Sequence, residues 1–267
     1  MSKLSDPKHL LANQYQNSSN LNARLNLHER FSTNKYGWHL WVFDQFNLPP
    51  ESRILELGCG PGALWSKNIH RIPDGWDITL SDFSPGMLRD AQQNLRDSQR
   101  DFEFREIDAQ SIPFAEKSFD AVIANHMLYH VQDRDKALSE IHRVLKPGGC
   151  LYAATNGQDH LRELEELLKS FDPDTTFKSW DNPFSLENAG AQISRWFSRV
   201  SLFRYEDSLA VTEVEPLVAY IMSMNDAKEI LVGHKLTEFA DFLEREMTSH
   251  DGVISITKTP GMFEARL

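Results

Sequence analysis

The stretch Arg53-Ile54-Leu55-Glu56-Leu57-Gly58-Cys59-Gly60-Pro61-Gly62-Ala63 decides the fold of this chain. Its first half is an apolar run that predicts a β-strand, and it passes directly into a turn with three glycines in five residues. Glycine lets a backbone turn sharply and come close to a ligand. The turn opens a helix, whose free N–H groups and positive dipole end would face that ligand. The spacing Gly58-x-Gly60-x-x-Ala63 fits a loose dinucleotide-binding pattern, while a glycine-rich turn without a ligand remains the alternative.

Strands and helices alternate after this turn, which predicts a doubly wound α/β fold with a mostly parallel sheet. In such sheets, ligands bind beyond the carboxyl ends of the strands. Further on, Thr212-x-x-Glu215 matches a capping box and predicts the start of a helix. The expected strands are 53–57, 77–83, 102–107, 119–124, 150–155 and 200–205, followed by a strand pair or one bulged strand within 252–267.

The chain shows no internal repeat and no low-complexity linker, so we expect a single domain over 1–267. Within it, we expect a sheet core and several helical cap segments that lie over the mouth of the sheet. The predicted sheet core spans about 51–158, 185–212 and 252–267, and the predicted cap segments span about 1–46, 159–184 and 213–250.

Composition limits the class of protein. The chain has 28 basic and 39 acidic residues and a net charge of −11 without a visible basic stripe, which disfavours nucleic acid and anionic membranes as partners. No apolar run reaches the about 20 residues that a membrane-spanning helix needs, and residues 1–7 lack the apolar region of a signal peptide. Cys59 and Cys150 lie in apolar strands without metal-ligand spacing, which indicates reduced, buried thiols and no metal site. We therefore expect a cytoplasmic protein.

Polar residues suited to a nucleoside lie on or next to the ends of the predicted strands. Glu56, Asp82, Asp108 and Asn125 occupy these positions in the first four strands. Asp82 follows Gly58 by 24 positions, about the separation at which an acid accepts hydrogen bonds from the ribose hydroxyls of a bound nucleotide. A carboxylate would repel a ribose phosphate, so this pattern disfavours NADP.

An ordered set of motifs resembles the class I S-adenosylmethionine-dependent methyltransferases, and the resemblance runs from about Ile54 to Thr155. This family has a seven-stranded sheet whose last strand is antiparallel, and the segment from Val253 would supply that strand. The motifs are Glu56-Leu57-Gly58-Cys59-Gly60-Pro61-Gly62, Asp82-Phe83-Ser84-Pro85-Gly86-Met87-Leu88, Asp108-Ala109, Ile112-Pro113-Phe114, Ser118-Phe119-Asp120, His130-Val131 and Val144-Leu145-Lys146-Pro147-Gly148-Gly149.

The resemblance implies S-adenosylmethionine as the cofactor and assigns its parts to residues of this chain. Phe83 and Met87 would border the adenine, although Met87 also fits a core position at helical spacing. Asp82 would accept both ribose hydroxyls, and the Asn125 backbone would meet the methionine amine. The full set of implied cofactor residues is Glu56, Gly58, Cys59 and Gly60 around the methionine part, Asp82, Phe83 and Met87 around the adenosine, Asp108 and Ala109 at the adenine amino edge, and Asn125.

Methyl transfer needs a general base only if the acceptor must lose a proton. His126 and His130 follow the fourth strand, and histidine accepts protons near neutral pH, so these two are the candidate catalytic residues. A purely structural role for them stays open. Tyr129 and Tyr15 are weaker candidates.

Missing motifs and the acidic balance favour a small-molecule methyl acceptor. The fourth strand is followed neither by an Asn-Pro-Pro-Tyr type motif nor by a Pro-Cys nucleophile, which base-methylating members of the family carry. The cap segments are rich in Trp, Phe, Leu and Met, so they would suit an apolar or aromatic acceptor. A NAD-dependent oxidoreductase of related fold and a catalytically silent cofactor-binding domain are the alternatives. The sequence does not predict an oligomeric state.

Overall fold

A computed structural model of the chain describes residues 19–175, 177 and 182–267. Tyr15, the start of the first predicted cap segment and part of the second lie outside these residues. The main feature is a seven-stranded sheet with the strand order β3-β2-β1-β4-β5-β9-β6. Its strands are β1 (Arg53–Leu57), β2 (Asp77–Asp82), β3 (Glu103–Glu106), β4 (Phe119–Asn125), β5 (Leu145–Asn156), β6 (Arg199–Arg204) and β9 (Pro260–Arg266).

Strands β1 to β5 are parallel, whereas β9 is inserted antiparallel between β5 and β6. This arrangement confirms the predicted fold class, including an antiparallel strand supplied by the end of the chain. The register pairs Leu57 with Ser81, and Asp82 with Glu106. Since parallel strands in this register end together, the turn after β1 and the residues after β2 and β3 lie at one edge of the sheet.

Helices flank the sheet and extend beyond it, and among the described residues none is long and apolar enough to cross a membrane. The helices are α1 (Ser19–Phe31), α2 (Trp38–Asp44), α3 (Ala63–Asn68), α4 (Pro85–Leu95), α5 (Arg134–Val144), α6 (Arg162–Phe171), α7 (Ala189–Ile193), α8 (Val214–Met222), α9 (Asn225–Ile230) and α10 (His234–Ser249).

Helices cover both faces of the sheet. Successive strand residues, which point to opposite sides, are therefore both buried. Ile54 packs with α2, α3 and α4 on one face, and its neighbour Leu55 packs with α5 and α7 on the other. Ser84 caps α4 by accepting a hydrogen bond from the Met87 N–H at 3.3 Å, with Pro85 at the first helical position, as the sequence predicts. Because both faces of the sheet are buried, its central strands are nearly continuous apolar runs.

Part of the expected sheet core lies elsewhere. Strands β7 (Asp207–Val211) and β8 (Ile254–Lys258) pair antiparallel with each other in a separate two-stranded sheet. The sequence predicts both within the sheet-core segments 185–212 and 252–267. The chain leaves the main sheet after β6 and returns to it only at β9, and β7 and β8 pair with each other in between.

The two-stranded sheet and five of the helices form a third hydrophobic cluster, which we call the cap. It contains Leu27 of α1, Leu164 of α6, Leu217 of α8 and Phe239 of α10, each at most 1% exposed. The cap thus has a core of its own, built from all three predicted cap segments together with β7 and β8.

Candidate functional site

A cavity of about 720 Å³ opens at the carboxyl ends of the parallel strands, between the main sheet and the cap. Its size lies within the range of roughly 300–1,000 Å³ that is usual for small-molecule sites. All twelve site residues predicted from the sequence line this cavity: Glu56, Gly58, Cys59, Gly60, Asp82, Phe83, Met87, Asp108, Ala109, Asn125, His126 and His130. Their individual roles stay predictions.

The turn after β1 has the left-handed backbone that its glycines permit, with φ of +69° at Gly58 and +53° at Gly60. A Cβ on Gly58 would lie 2.7 Å from the Cβ of Met127, so this glycine is required by packing as well as by φ. A Cβ on Gly60 would meet nothing closer than Leu21 at 3.7 Å. The space next to Gly60 is therefore open.

Asp82 is held in place by the backbone of two neighbouring turns. Its Oδ2 accepts a hydrogen bond from the Gly60 N–H at 2.9 Å, and its Oδ1 accepts one from the Ser84 N–H at 2.8 Å. Burial raises the pKa of this carboxyl, and the N–H bonds from Ser84, Gly60 and Phe83 oppose the rise. These three N–H bonds leave at least one of the four lone pairs of the carboxylate for a ligand, which suits a ribose hydroxyl.

Glu56 lies beneath the turn and is 2% exposed. Its Oε2 accepts a hydrogen bond of 2.6 Å from the Trp65 Nε1–H. Burial raises the pKa of Glu56 to about 8, and the nearby Asp82 contributes in the same direction. The thiol of Cys59 has a pKa raised well above its usual value, first by burial, so it is a neutral thiol and not a nucleophile.

The residues predicted around the adenine differ in exposure. Phe83 is 39% exposed, whereas Met87 and Ala109 are 2% and 4% exposed. Asp108 accepts two hydrogen bonds on Oδ1, from the Gln110 N–H at 2.9 Å and from the Gln110 Nε2–H at 3.0 Å. Sequence reasoning missed Gln110, which also accepts from the Asp133 N–H at 3.0 Å and so ties the Asp108 loop to the start of α5.

After β4, His126 has a φ of +55°, an uncommon conformation for a residue with a Cβ. Its N–H donates to the Ala154 carbonyl at 3.0 Å, and its ring lies 5.0 Å from the Trp38 ring between centroids. Burial lowers the pKa of His126 to about 3, with His39 and Lys258 contributing. His130 lies in a 3₁₀ turn at Leu128–His130, with its ring centroid 4.4 Å from that of Tyr129. Both predicted candidate bases line the cavity.

The cap contributes polar residues that the sequence analysis did not single out as functional. His28 from α1, His160 before α6 and Lys258 from β8 all line the cavity. Of these three residues, only His28 gives a signal in the sequence, because it lies at helical spacing from Leu21 and Leu25 on an otherwise apolar stripe. The other two residues gave no local signal, since their neighbours in space lie far away in the sequence.

Strand order and site together define the class. The inserted antiparallel β9, the glycine turn after β1 and the acid at the end of β2 make this a class I S-adenosylmethionine-dependent methyltransferase fold. Residues 55–153 match the family described as methyltransferase domain.

Among relatives, the chain is 32% identical over 136 residues to the ubiquinone/menaquinone biosynthesis C-methyltransferase UbiE of Vibrio cholerae. The match covers 50% of this chain and 52% of that protein, so the chain spans about half the length of the curated relatives it matches.

Two solved structures share the fold at low sequence identity. Phosphoethanolamine N-methyltransferase 2 of Haemonchus contortus, in complex with S-adenosylhomocysteine, has a TM-score of 0.59 and 20% identity, over 100% of this chain and 60% of that one. The [4+2]-cyclase SpnF has a TM-score of 0.53 and 19% identity, over 85% of this chain and 78% of that one. Similar folds thus occur in proteins described as methyltransferases and as a cyclase, so the fold by itself does not define the reaction.

Proposed function

We propose that this protein is an S-adenosylmethionine-dependent methyltransferase that acts on a small-molecule acceptor. The observation that carries the proposal is the Asp82 carboxylate, which backbone N–H groups hold at the end of β2 with a lone pair left for a ligand hydroxyl. A diol binder positioned beside an open glycine turn suits the adenosine and methionine parts of one ligand.

The chain's own residues would hold and orient the cofactor. Asp82 would accept the ribose hydroxyls, Phe83 and Met87 would border the adenine, and the open backbone at Gly60 would accommodate the methionine part. Asn125 supports this placement, because its Oδ1 is buried at the cavity wall and has no hydrogen-bond partner among the described residues. The cofactor, when bound, supplies a methyl group already activated on a sulfonium, so the protein has mainly to align the acceptor with it.

The acceptor would lie between the strand ends and the cap, against the rings of Trp38 and Tyr220. These rings support an apolar or aromatic acceptor. His126 is neutral at pH 7 because its pKa is about 3, so it can accept a hydrogen bond from the acceptor but is a weak base. We keep His130 as the candidate base, since it lines the same cavity from the 3₁₀ turn after β4.

Two further features belong to the proposal. We favour a small molecule over a nucleic acid because the net charge is −11 and the cavity is enclosed by the cap. We also propose a cytoplasmic location, since Cys59 and Cys150 are both free and buried.

Calorimetric titration with S-adenosylhomocysteine and, separately, with NAD tests the proposal. We expect saturable binding of S-adenosylhomocysteine alone. The variant Asp82→Asn should bind it at least about tenfold more weakly, since each hydrogen bond to a charged group contributes about 1.5–3 kcal/mol. The matched control Asp77→Asn changes an exposed acid at the other end of β2 and should bind as the wild type does.

NAD binding without S-adenosylhomocysteine binding would favour the oxidoreductase alternative and remove the proposal. Equal affinities of wild type and Asp82→Asn would show that the ribose lies elsewhere.

A further inference from the structure

The cap side of the cavity contains a buried ammonium group. The Lys258 side chain is 8% exposed and lines the cavity. It forms an ion pair with the fully buried Asp207 and donates a hydrogen bond of 2.9 Å to the Ser32 Oγ. An ammonium group has three N–H donors, and only these two have partners among the described residues. The third N–H is available to a molecule in the cavity.

His160 provides a second donor at the same end. The residue is 6% exposed, and its Nδ1 accepts a hydrogen bond of 3.1 Å from the Thr259 N–H. We therefore assign the ring proton to Nε2, because a neutral imidazole carries one donor and one acceptor nitrogen. No described residue accepts a hydrogen bond from this Nε2–H. Lys258 and Thr259 are neighbours in sequence, so both donors come from the same corner of the cap.

Flat rings enclose these donors. The rings of His28 and Tyr220 meet edge to face at 5.7 Å between centroids, and His28 lies 6.4 Å from His160. Trp38 stacks on Trp41 at 5.2 Å and covers His126. This environment fits a planar aromatic molecule that carries an oxygen atom able to accept hydrogen bonds.

The charges at this end favour an uncharged ligand. Asp207 already balances Lys258, and burial lowers the pKa values of His28 and His126 to about 3 and that of His160 well below its usual range, so all three rings are neutral at pH 7. A ligand carboxylate would be desolvated beside a carboxylate that is already paired. Arg24 is a further cation at the wall, but its guanidinium donates to the Ser223 Oγ at 2.8 Å and carbonyl at 3.1 Å.

A metal does not explain this cluster. Across residues 19–175, 177 and 182–267, no group of three or more His, Cys, Asp or Glu side chains is arranged to hold a metal ion. N–H donors do not bind cations, so an oxygen atom of an organic molecule suits these two donors better than a metal ion does.

We propose that Lys258 and His160 form the acceptor-recognition subsite, and that the acceptor is an uncharged aromatic compound whose hydroxyl or carbonyl oxygen receives hydrogen bonds from both. This inference rests on the proposed methyltransferase function and specifies its substrate class. Lys258 and His160 are positioning residues, which orient the ring toward the strand ends.

Three probes of equal ring size test the subsite by calorimetry, each with and without saturating S-adenosylhomocysteine. These are 2-naphthol, which is uncharged at pH 7, 2-naphthoate, which is an anion, and 2-methylnaphthalene, which has no oxygen. We expect 2-naphthol to bind best and 2-naphthoate at least about tenfold more weakly, because burying an unpaired charge costs several kcal/mol.

Two variants remove the donors with little damage to the fold. Lys258→Met combined with Asp207→Asn eliminates both charges, so that neither is left unpaired. His160→Asn keeps an acceptor for the Thr259 N–H but lacks the Nε2–H. Each should weaken 2-naphthol binding about fivefold to tenfold, the effect of one lost hydrogen bond, and leave S-adenosylhomocysteine affinity unchanged. Lys235→Met combined with Asp172→Asn removes an exposed ion pair outside the cavity and is the matched control.

The outcomes separate the two proposals. Three results would overturn the subsite alone, provided that S-adenosylhomocysteine binds. These are no binding of 2-naphthol, equal 2-naphthol affinity in wild type and variants, and binding of 2-methylnaphthalene as tight as that of 2-naphthol. Tighter binding of 2-naphthoate would identify Arg24 as the anchor and overturn it as well. Donor-dependent 2-naphthol binding without S-adenosylhomocysteine binding would support the subsite and remove the proposed function.

Discussion

At the residue scale, Gly58 is constrained in two independent ways. Its φ of +69° disfavours any side chain, and an added Cβ would come within 2.7 Å of the Met127 Cβ. The sequence explained this glycine by close approach of a ligand. The structure adds a reason that needs no ligand, because the turn after β1 packs directly against the turn after β4.

We expect Gly58→Ala to lower the free energy of unfolding by about 2–4 kcal/mol, combining left-handed strain with the steric clash. Gly148→Ala is the matched control, since Gly148 has a φ of +78° but nothing within 4 Å of an added Cβ. It should cost only about 1–2 kcal/mol. Urea denaturation measures both, and equal costs would show that Met127 moves aside freely.

The ionisation of Glu56 makes the stability of the protein depend on pH. Its pKa is about 8 in the folded protein and about 4.5 in the unfolded chain, where the carboxyl is solvated. Between these values the unfolded state binds fewer protons than the folded state, so the contribution of Glu56 to stability falls as the pH rises from 4.5 to 8.

Glu56→Gln keeps an oxygen for the Trp65 Nε1–H and cannot ionise. The free energy of unfolding of this variant, relative to that of the wild type, should therefore rise by at least about 1 kcal/mol from pH 5 to pH 8, roughly the equivalent of one pKa unit. Glu140→Gln is the control, because hydrogen bonds from Arg143 first of all hold the pKa of Glu140 at about 2. The loss in free energy of unfolding caused by Glu140→Gln should therefore stay the same over this pH range. Denaturation at pH 5 and at pH 8 measures both variants. If the difference in unfolding free energy between Glu56→Gln and wild type is the same at both pH values, the pKa of Glu56 is not raised.

At the scale of elements, the small β7–β8 sheet is attached to the rest of the chain by buried polar contacts. Asp207 at the start of β7 accepts from the Asn34 N–H at 3.0 Å and from the Ser32 Oγ, and pairs with Lys258 at the end of β8. On β8, Glu163 of α6 accepts from the Thr257 N–H at 2.9 Å and the Thr257 Oγ1 at 2.6 Å. These contacts fix the position of the strand that carries Lys258.

Either single substitution, Asp207→Asn or Lys258→Met, leaves one buried charge without its partner. Each should destabilise the protein by about 3–5 kcal/mol, and the double variant by clearly less than the sum. The exposed pair of Lys235 and Asp172, 3.1 Å apart, should cost about 0–1 kcal/mol when broken. A double-mutant cycle by thermal unfolding tests this, and simple additivity would mean that the buried charges do not interact.

At the scale of the whole molecule, the protein contains three hydrophobic clusters, two on the faces of the main sheet and one in the cap. The cavity lies where the cap meets the sheet edge. The proposed cofactor contacts come from the sheet and the proposed acceptor contacts from the cap, so the relative stability of the two parts would bear on the proposed function.

Leu217→Ala in the cap and Leu138→Ala beneath the sheet each truncate a fully buried leucine and should each cost about 2–5 kcal/mol. We expect the cap variant to accelerate amide hydrogen exchange in β7 and β8 while β1 and β4 stay protected, since proteins open in cooperative units. Leu138→Ala should affect all four strands. Equal acceleration in the two variants would show that cap and sheet unfold as one unit.

Local sequence patterns are enough to predict the main sheet and the position of the candidate cofactor site. Apolar strands, the glycine turn and the acids at strand ends are local patterns, and parallel pairing brings consecutive strand ends together. Local signals failed where the tertiary context decided. Thr212 does not cap α8, whose N-cap is Glu213 without a side-chain hydrogen bond, because the chain extends through Val211 as strand β7.

The cap side of the cavity could not be predicted from the sequence, because long-range packing assembles it. His28, His160 and Lys258 are separated by about a hundred positions each, and no periodic pattern links them. Their neutral rings and buried ammonium depend on desolvation, which is a property of the assembled fold and not of any segment. His126, whose backbone is left-handed, likewise has a distant partner, since its N–H donates to the Ala154 carbonyl on the neighbouring strand.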